Sequence, residues 1–276
     1  MSKLPYLNLG CGITFHKEWT NVDFASFAPE VKAHNLLNGI PFGDNQFRVV
    51  YHSHVLEHFP KQKAPGFIRE CYRVLQPGGI IRVAIPDLEK IANNYIKFLH
   101  ESLENKTGAA EKYEWTMLEM YDQVVRSSSG GEMVNYIRDA KKNNDEFLLE
   151  RNGWEVKQLM EALRENSPSG SLSQSYTFFK RVKSVPKTIK NKMISALLGK
   201  NDMELLRIAR FRAGGEIHQW MYDRYSLGKL LSDTGFSEVK VKTAFESEIP
   251  EWESFRLDGD NGVVRKPDSL FMEARK

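Results

Sequence analysis

The chain has 276 residues, 41% of them hydrophobic and 27% charged, with a formal net charge of +3. That composition is ordinary for a globular protein and leaves room for one large domain, or for one domain carrying an insertion. No apolar run approaches the roughly 18 residues that a membrane span requires, no RNA-binding signature is visible, and the small net charge names no partner.

The opening MSKLPY runs almost at once into an apolar strand over residues 5–10, which leaves no room for a signal peptide and points to the cytoplasm. In that reducing compartment the two cysteines, Cys11 and Cys71, are expected to be small buried fillers. The strand ends in Leu7-Asn8-Leu9-Gly10-Cys11-Gly12, and a second short strand, 20–23, ends on Asp23, followed by Phe24. Glycines let a backbone turn sharply and lie against a ligand. A carboxylate at the next strand tip can accept two hydrogen bonds from a ribose diol. Together they describe a nucleoside cofactor across the carboxyl ends of parallel strands.

A dinucleotide fingerprint wants G-x-G-x-x-G and an acid about 20 residues on. Here Phe15 takes the third glycine position and Asp23 lies 13 residues after Gly10. A full helix does not fit between the two strands, so a pyrophosphate would miss the helix N-terminus that usually holds it. S-adenosylmethionine has no phosphate. It needs backbone groups for its amino-acid end, a carboxylate for its ribose and an apolar slot for adenine, and the shortened loop fits it better. The alternatives are a nicotinamide cofactor and a glycine-rich turn with no ligand.

Further on come Ile40-Pro41-Phe42, Asp44, Gln46-Phe47-Arg48-Val49-Val50 and Leu56-Glu57-His58, then Leu75 to Gly79 reading Leu-Gln-Pro-Gly-Gly before Ile80 to Ile85. With these motifs in this order, the chain resembles the class I S-adenosylmethionine-dependent methyltransferases, in the group whose core reads LPF-x-D-x-SFD-VV-x-x-x-x-LEH. The resemblance covers residues 5–90 and resumes after 215. Arg48 stands where that group usually has Asp, and Asn35 where an acid often meets adenine. An Asn side-chain carbonyl can still pair with an amino group. The resemblance implies a seven-stranded, mostly parallel, doubly wound α/β sheet of Rossmann-like type. The expected cofactor site comprises Leu9, Gly10, Cys11, Gly12, Asp23, Phe24, Asn35, Leu36, Ser53 and His54.

His54-Val55-Leu56-Glu57-His58 also matches H-x-x-E-H, an inverted zinc-protease motif. That reading requires a long helix presenting both histidines on one face. A strand precedes and Pro60 follows, so at most one or two turns form and no metal is expected; a zinc hydrolase using His54, Glu57 and His58 is the remote alternative. Helical spacing of Phe67, Ile68, Cys71, Tyr72 and Leu75 predicts a helix over 64–74. Asp87, after the strand ending at Ile85-Pro86, either orients an acceptor or caps the next helix.

Between 88 and 213 the pattern becomes helical, with helices expected at 88–103, 113–125, 154–164 and 203–212. This divides the chain into a core of 1–90 and 213–276 and an insertion of 91–212, too long for a plain loop. Ser127 to Gly131 and Ser167 to Ser175 read as flexible links or lid hinges. Residues 178–212 hold ten Lys and Arg against two acids. With Ile189, Met193, Ile194, Leu197 and Leu198 at helical spacing, this is a solvated helix packed on the domain, a peripheral contact with an anionic membrane at its inner face, or a binding surface for an anionic substrate or nucleic acid. A helix at 226–233 stopped by Gly235 and strands at 236–243 and 269–274 complete the sheet.

Methyl transfer to a hydroxyl needs positioning and proton removal. In the resembling proteins a histidine before the return helix commonly faces the acceptor, which makes His218 the leading base candidate, with His54 its competitor and Asp87 a third catalytic candidate. Trp220, Tyr222 and Tyr225 either stack on a sugar or belong to the core. The expected function is S-adenosylmethionine-dependent O-methylation of a small molecule, a sugar or a lipid-linked glycan, with no nucleic-acid partner. The alternative is a cofactor-binding protein that does not catalyse.

Overall fold

The computed structural model describes residues 4–26, 28–139, 145–165 and 199–276. The strands are β1 (Tyr6–Leu9), β2 (Thr20–Asp23), β3 (Val31–Ala33), β4 (Phe47–Ser53), β5 (Leu75–Pro86), β6 (Ser237–Lys242), β7 (Gly259–Asp260), β8 (Val263–Val264) and β9 (Ser269–Arg275). The helices are α1 (Ala64–Val74), α2 (Leu88–Leu103), α3 (Ala109–Val125), α4 (Gly131–Arg138), α5 (Asp145–Glu165, broken at Gly153), α6 (Lys200–Arg212) and α7 (Arg224–Asp233). Seven strands form one sheet in the order β3-β2-β1-β4-β5-β9-β6, with β7 and β8 a separate hairpin. The pairs from β3 through β5 are parallel, and β9 runs antiparallel to both β5 and β6. The expected mostly parallel α/β sheet is therefore what forms.

The buried strands read as continuous apolar runs because both faces are covered. On one face Leu7, Leu9, Val50, Ile81, Val83 and Ile85 pack with Phe67, Ile68 and Cys71 of α1 and Leu227 and Leu231 of α7. On the other, Val49, Tyr51 and Ile80 meet Trp19, Trp252, Phe255 and Leu257, supplied by loops and a 3-10 turn over Trp252–Phe255. No helix separates β1 from β2, as the short spacing from Gly10 to Asp23 requires. The Pro-Gly-Gly segment lies within β5, which starts at Leu75 directly where α1 ends, and forms an irregularity there: Leu75 pairs with Phe47 and Ile80 with Val49, and Gly78 has φ +76°.

Four helices of the 88–213 region appear where the periodicity places them, α2 within the predicted bounds and the others with shifted ends. α4 is additional. Gly130 is its left-handed N-cap, and Asp122 of α3 accepts from Glu132 N at 2.8 Å. The expected link at Ser127 to Gly131 is thus an ordered helix entry. Ser167 to Ser175 and the apolar stripe at 189–198 lie outside the described residues. In α6, Arg207 pairs with Glu204, while Arg212 donates to the last carbonyls of α3 at Val124 and Val125. No helix among the described residues is long and apolar enough to cross a membrane.

Arg82 of β5 is wholly buried on the aromatic face. Its Nε donates to Asp258 at 2.8 Å and Nη1 to Glu273 at 2.7 Å and to the Glu246 carbonyl, while Nη2 donates to the Thr243 and Ala244 carbonyls. The guanidinium lies 4.4 Å from the Trp252 ring centroid. Tyr51 donates to Asp258 at 2.5 Å. A buried charge is tolerated only when paired and hydrogen-bonded in this way. Arg82→Leu strands two buried carboxylates and should cost about 3–5 kcal/mol, measured as a lower urea midpoint; an unchanged midpoint would show the network to be dispensable.

His52 of β4 points to the opposite face, edge-on to Phe67 at 5.2 Å between ring centroids. Both of its ring nitrogens are buried without a hydrogen-bond partner among the described residues, and burial pushes its pKa down to about 3. The unfolded chain therefore takes up a proton near pH 6.5 that the folded chain refuses. Folded stability falls as the pH drops below that value. His52→Leu should remove this share, gaining about 2 kcal/mol over wild type between pH 7.5 and 5 in urea titrations. Parallel stability curves for the two proteins would exclude His52 as a cause of acid sensitivity.

Candidate active site

The parallel register brings the ends of β1, β2 and β4 to one edge, and the residues there are those of the glycine turn, Asp23 and the Ser53-His54 corner. Gly10 has φ +62° and its amide donates to the Val22 carbonyl at 2.8 Å. A Cβ on Gly10 would come within 2.3 Å of Val55 Cγ2, so only glycine lets the turn close over the β4 corner. Gly12, also left-handed at φ +50°, has open space where a Cβ would stand, and its amide donates to Asp23 Oδ2 at 2.8 Å. Asp23 is 7% exposed. Burial raises its pKa, while amide donors, Gly12 foremost, pull it back.

Phe24, next in chain to Asp23, and Ile13, next to Gly12, are exposed apolar side chains, as is Leu37 of the 3-10 turn Leu36–Asn38. Large apolar groups left open beside a buried carboxylate suit a ligand with both a flat apolar ring and a diol. Leu36 is partly buried against the core, next in chain to Asn35. Asn35 caps the 3-10 turn Leu36–Asn38, its Oδ1 accepting from Leu37 N at 3.0 Å. An adenine amino group would have to share that oxygen. Cys11 is a filler: burial pushes its thiol up to about 12, and Cys71 is pushed up further, so both stay protonated.

The acceptor side is built from the β4 corner and the segment that returns from the insertion. His54 sits at φ +54°, where few non-glycine residues are found. Its backbone amide donates to the Ala84 carbonyl at 2.9 Å. Its Nε2 is 2.8 Å from Ser269 Oγ at the start of β9, and its Nδ1 is 3.3 Å from Glu57 Oε1. The following turn, Leu56–His58, is a single 3-10 turn, so the long helix of an inverted zinc-protease motif is absent. His58 Nδ1 donates to the Ile217 carbonyl at 3.1 Å, and the amides of Gln219 and Trp220 donate to the Glu57 carbonyl at 2.6 and 3.2 Å.

His218 is thereby carried against His58, with ring centroids 4.9 Å apart and edge-to-face. It is 4% exposed, and its amide donates to the Gln123 carbonyl of α3 at 2.9 Å. Burial first, then neighbouring cations and histidines, hold His54 and His218 well below the usual histidine range, and burial takes His58 down to about 4. The three imidazoles are therefore neutral near pH 7.

Of the other candidates, Asp87 is the N-cap of α2, its Oδ1 accepting from Lys90 N at 3.2 Å. Tyr222 lies in the core. Trp220 is half-exposed with Lys61 Nζ 4.0 Å from its ring centroid, and Tyr225 is exposed. Sequence reasoning missed Ser269, Arg126 and the roles of Val55 and Gln123. None carries a local motif, and each reaches the site through chain-distant pairing.

Residues 7–83 match the family model Methyltransf_11, described as a methyltransferase domain. No curated protein matches the chain. Among solved structures, an Archaeoglobus fulgidus S-adenosylmethionine-dependent methyltransferase is 12% identical, covering 100% of this chain and 86% of that one at a TM-score of 0.38. A Thermotoga maritima methyltransferase, described as a possible histamine N-methyltransferase, is 13% identical over 100% and 84% of the two chains, also at 0.38. The [4+2]-cyclase SpnF is 20% identical over 30% of this chain and 39% of its own, at 0.25. Likeness this distant carries nothing about activity. The family match covers the strands that carry the glycine turn, Asp23 and the His54 corner, so this part of the chain is similar to a methyltransferase domain.

Proposed function

We propose that the chain methylates a hydroxyl on a small molecule, a sugar or a lipid-linked glycan, with His54 taking the proton. The observation that supports this is the position of His54. It adjoins Val55, which packs on Gly10 of the cofactor turn, and it stands between the Glu57 carboxylate and a hydroxyl oxygen. Glu57 beside Nδ1 favours the tautomer with a proton there, so that Nε2 is the accepting nitrogen, and offsets the charge that forms when it takes a proton. Ser269 Oγ, 2.8 Å from Nε2, occupies the kind of position an acceptor hydroxyl would take. His218, the leading candidate on sequence, faces the His58 ring rather than a hydroxyl, so His54 is preferred.

The cofactor supplies a methyl group on a sulfonium sulfur that leaves as a neutral thioether, so no acid is required. The chain's own work is to fix the amino-acid end at the Gly10–Gly12 turn, the ribose at Asp23 and the adenine against Phe24 and Leu36. It must also align the acceptor and remove one proton. α3 acts as a cover on the acceptor side in this proposal, since Gln123 and Arg126 border His218.

Asp23→Ala should weaken S-adenosylmethionine binding at least tenfold in calorimetric titration, because a hydrogen bond to a charged group contributes about 1.5–3 kcal/mol. Asp23→Asn keeps an oxygen for the Gly12 amide and separates loss of charge from loss of the turn. Unchanged affinity in the folded Ala variant would remove Asp23 from the site. His54→Asn tolerates the left-handed backbone and removes the base. Transfer of labelled methyl to hydroxyl-bearing monosaccharides, glycosides and polyprenyl-linked sugars should fall by about 10²- to 10⁴-fold, with cofactor affinity nearly intact. Full turnover in that variant would refute the assignment.

A further inference from the structure

We propose that Glu57, His58 and His218 form a binding site for one divalent transition-metal ion of the zinc type. One ligand atom from each of the three lies within 4.8 Å of the others. The residues differ from the His54, Glu57 and His58 of the linear motif, because the chain turns His54 toward Ser269 and brings His218 in from the far side of the insertion. A two-histidine, one-carboxylate set is a known ligand combination for catalytic zinc, and it leaves a coordination position open. Closing from the observed spacing to metal–ligand bonds of about 2 Å requires the side chains to draw in by rotamer adjustment.

Two observations beyond proximity point to a ligand here. The first is the state of the histidines. His58 Nδ1 faces the Ile217 carbonyl at 3.1 Å, and a carbonyl can only accept, so Nδ1 carries the hydrogen and Nε2 holds a bare lone pair. Metal-bound histidines are oriented by this kind of second hydrogen bond. His218 is 4% exposed, and its buried Nδ1 has no hydrogen-bond partner among the described residues. The second is rigidity. The two chain segments that supply the trio are tied by the Gln219 and Trp220 amides on the Glu57 carbonyl and by the His218 amide on Gln123. The ligands are held by backbone, and Glu57 is further oriented by His54 Nδ1 at 3.3 Å.

The donor set, two imidazole nitrogens and one carboxylate, selects the kind of ion. A hard cation held by oxygen ligands gains little from two imidazoles, whereas a borderline-soft ion is bound through directed bonds to imidazole nitrogen and suits the set. Arg126 of α3 and Lys266, before β9, both act on His58 and His218 and oppose any cation there, which the directed bonds must outweigh; Arg126 is itself 3.8 Å from Glu216. An ion with a position left open would polarise an oxygen bound to it. Metal binding itself does not depend on the acceptor assignment.

The test is elemental analysis of the full chain purified without chelator from zinc-supplemented medium, with zinc as the probe. About one zinc per chain is expected in wild type, and background in His58→Ala and His218→Ala. To separate ligand loss from misfolding, zinc is added to chelator-treated protein. The thermal midpoint should rise in wild type and stay fixed in His218→Gln, a variant that keeps side-chain volume. No zinc and no thermal shift in wild type would overturn the site, as would undiminished zinc in folded His58→Ala and His218→Ala. Because both readouts are independent of methyl transfer, they can fail while the hydroxyl-methylation reading stands, and the reverse.

Discussion

The buried guanidinium of Arg82 ties β5 to β9 and to the loop over one face of the sheet. It stands opposite Glu273 in the β5–β9 ladder and binds that carboxylate directly. A one-residue slip would turn Glu273 to the other face of the sheet and leave Arg82 unpaired in an apolar layer, so the register is strongly specified. The same register places Ser269 opposite Pro86, at the edge where the parallel strands end. Ser269 reaches His54 for that reason. The other arms of Arg82 draw in Asp258 and the carbonyls of Thr243, Ala244 and Glu246, which bring the loop carrying Trp252 over the face that no β1–β2 helix covers.

With the sheet set, the chemistry gathers at one edge because parallel strands all end there. The glycine turn, Asp23 and the His54 corner come from three successive strand tips. Their mutual fit is steric as well as polar. Val55 fills the space a Gly10 side chain would need, and the Gly12 amide holds the Asp23 carboxylate. The acceptor half is less local. It depends on the return of the chain at 217–220, which lies on the turn at 56–58 through backbone hydrogen bonds and leans on α3 through Gln123. α3, the 217–220 return and the turn at 56–58 are thereby one hydrogen-bonded unit.

The electrostatic character of that unit follows from its burial. Imidazoles removed from water disfavour the charged form, and Arg126 and Lys266 reinforce the effect. Neutral rings with free lone pairs suit proton acceptance and metal coordination, and are poor partners for anions. The division of labour in the site, with His54 facing a hydroxyl and His58 and His218 facing each other, is a consequence of geometry, since all three rings share the same depressed proton affinity.

Much of the core was legible in the amino-acid order. β1, β2 and β4 are apolar runs closed by turn residues, α1 shows a helical stripe, and Gly10, Gly12 and Asp23 form a spaced motif, because local sterics and burial periodicity act over a few residues. β3 was not legible. It has three residues and only Val31 is buried, which leaves no pattern to read. α4 was hidden behind a serine and glycine run whose glycines adopt left-handed conformations at the helix entry, while its first turn is capped by Asp122 from another helix. Asp87 was ambiguous until its bond to Lys90 N showed a cap. By itself the sequence determined the central strands, the glycine turn and the carboxylate beside it. Tertiary structure alone decided which histidine faces Ser269 and which faces His58, because those pairings join residues far apart in the chain, and no periodicity or spacing along the chain encodes contacts at that range.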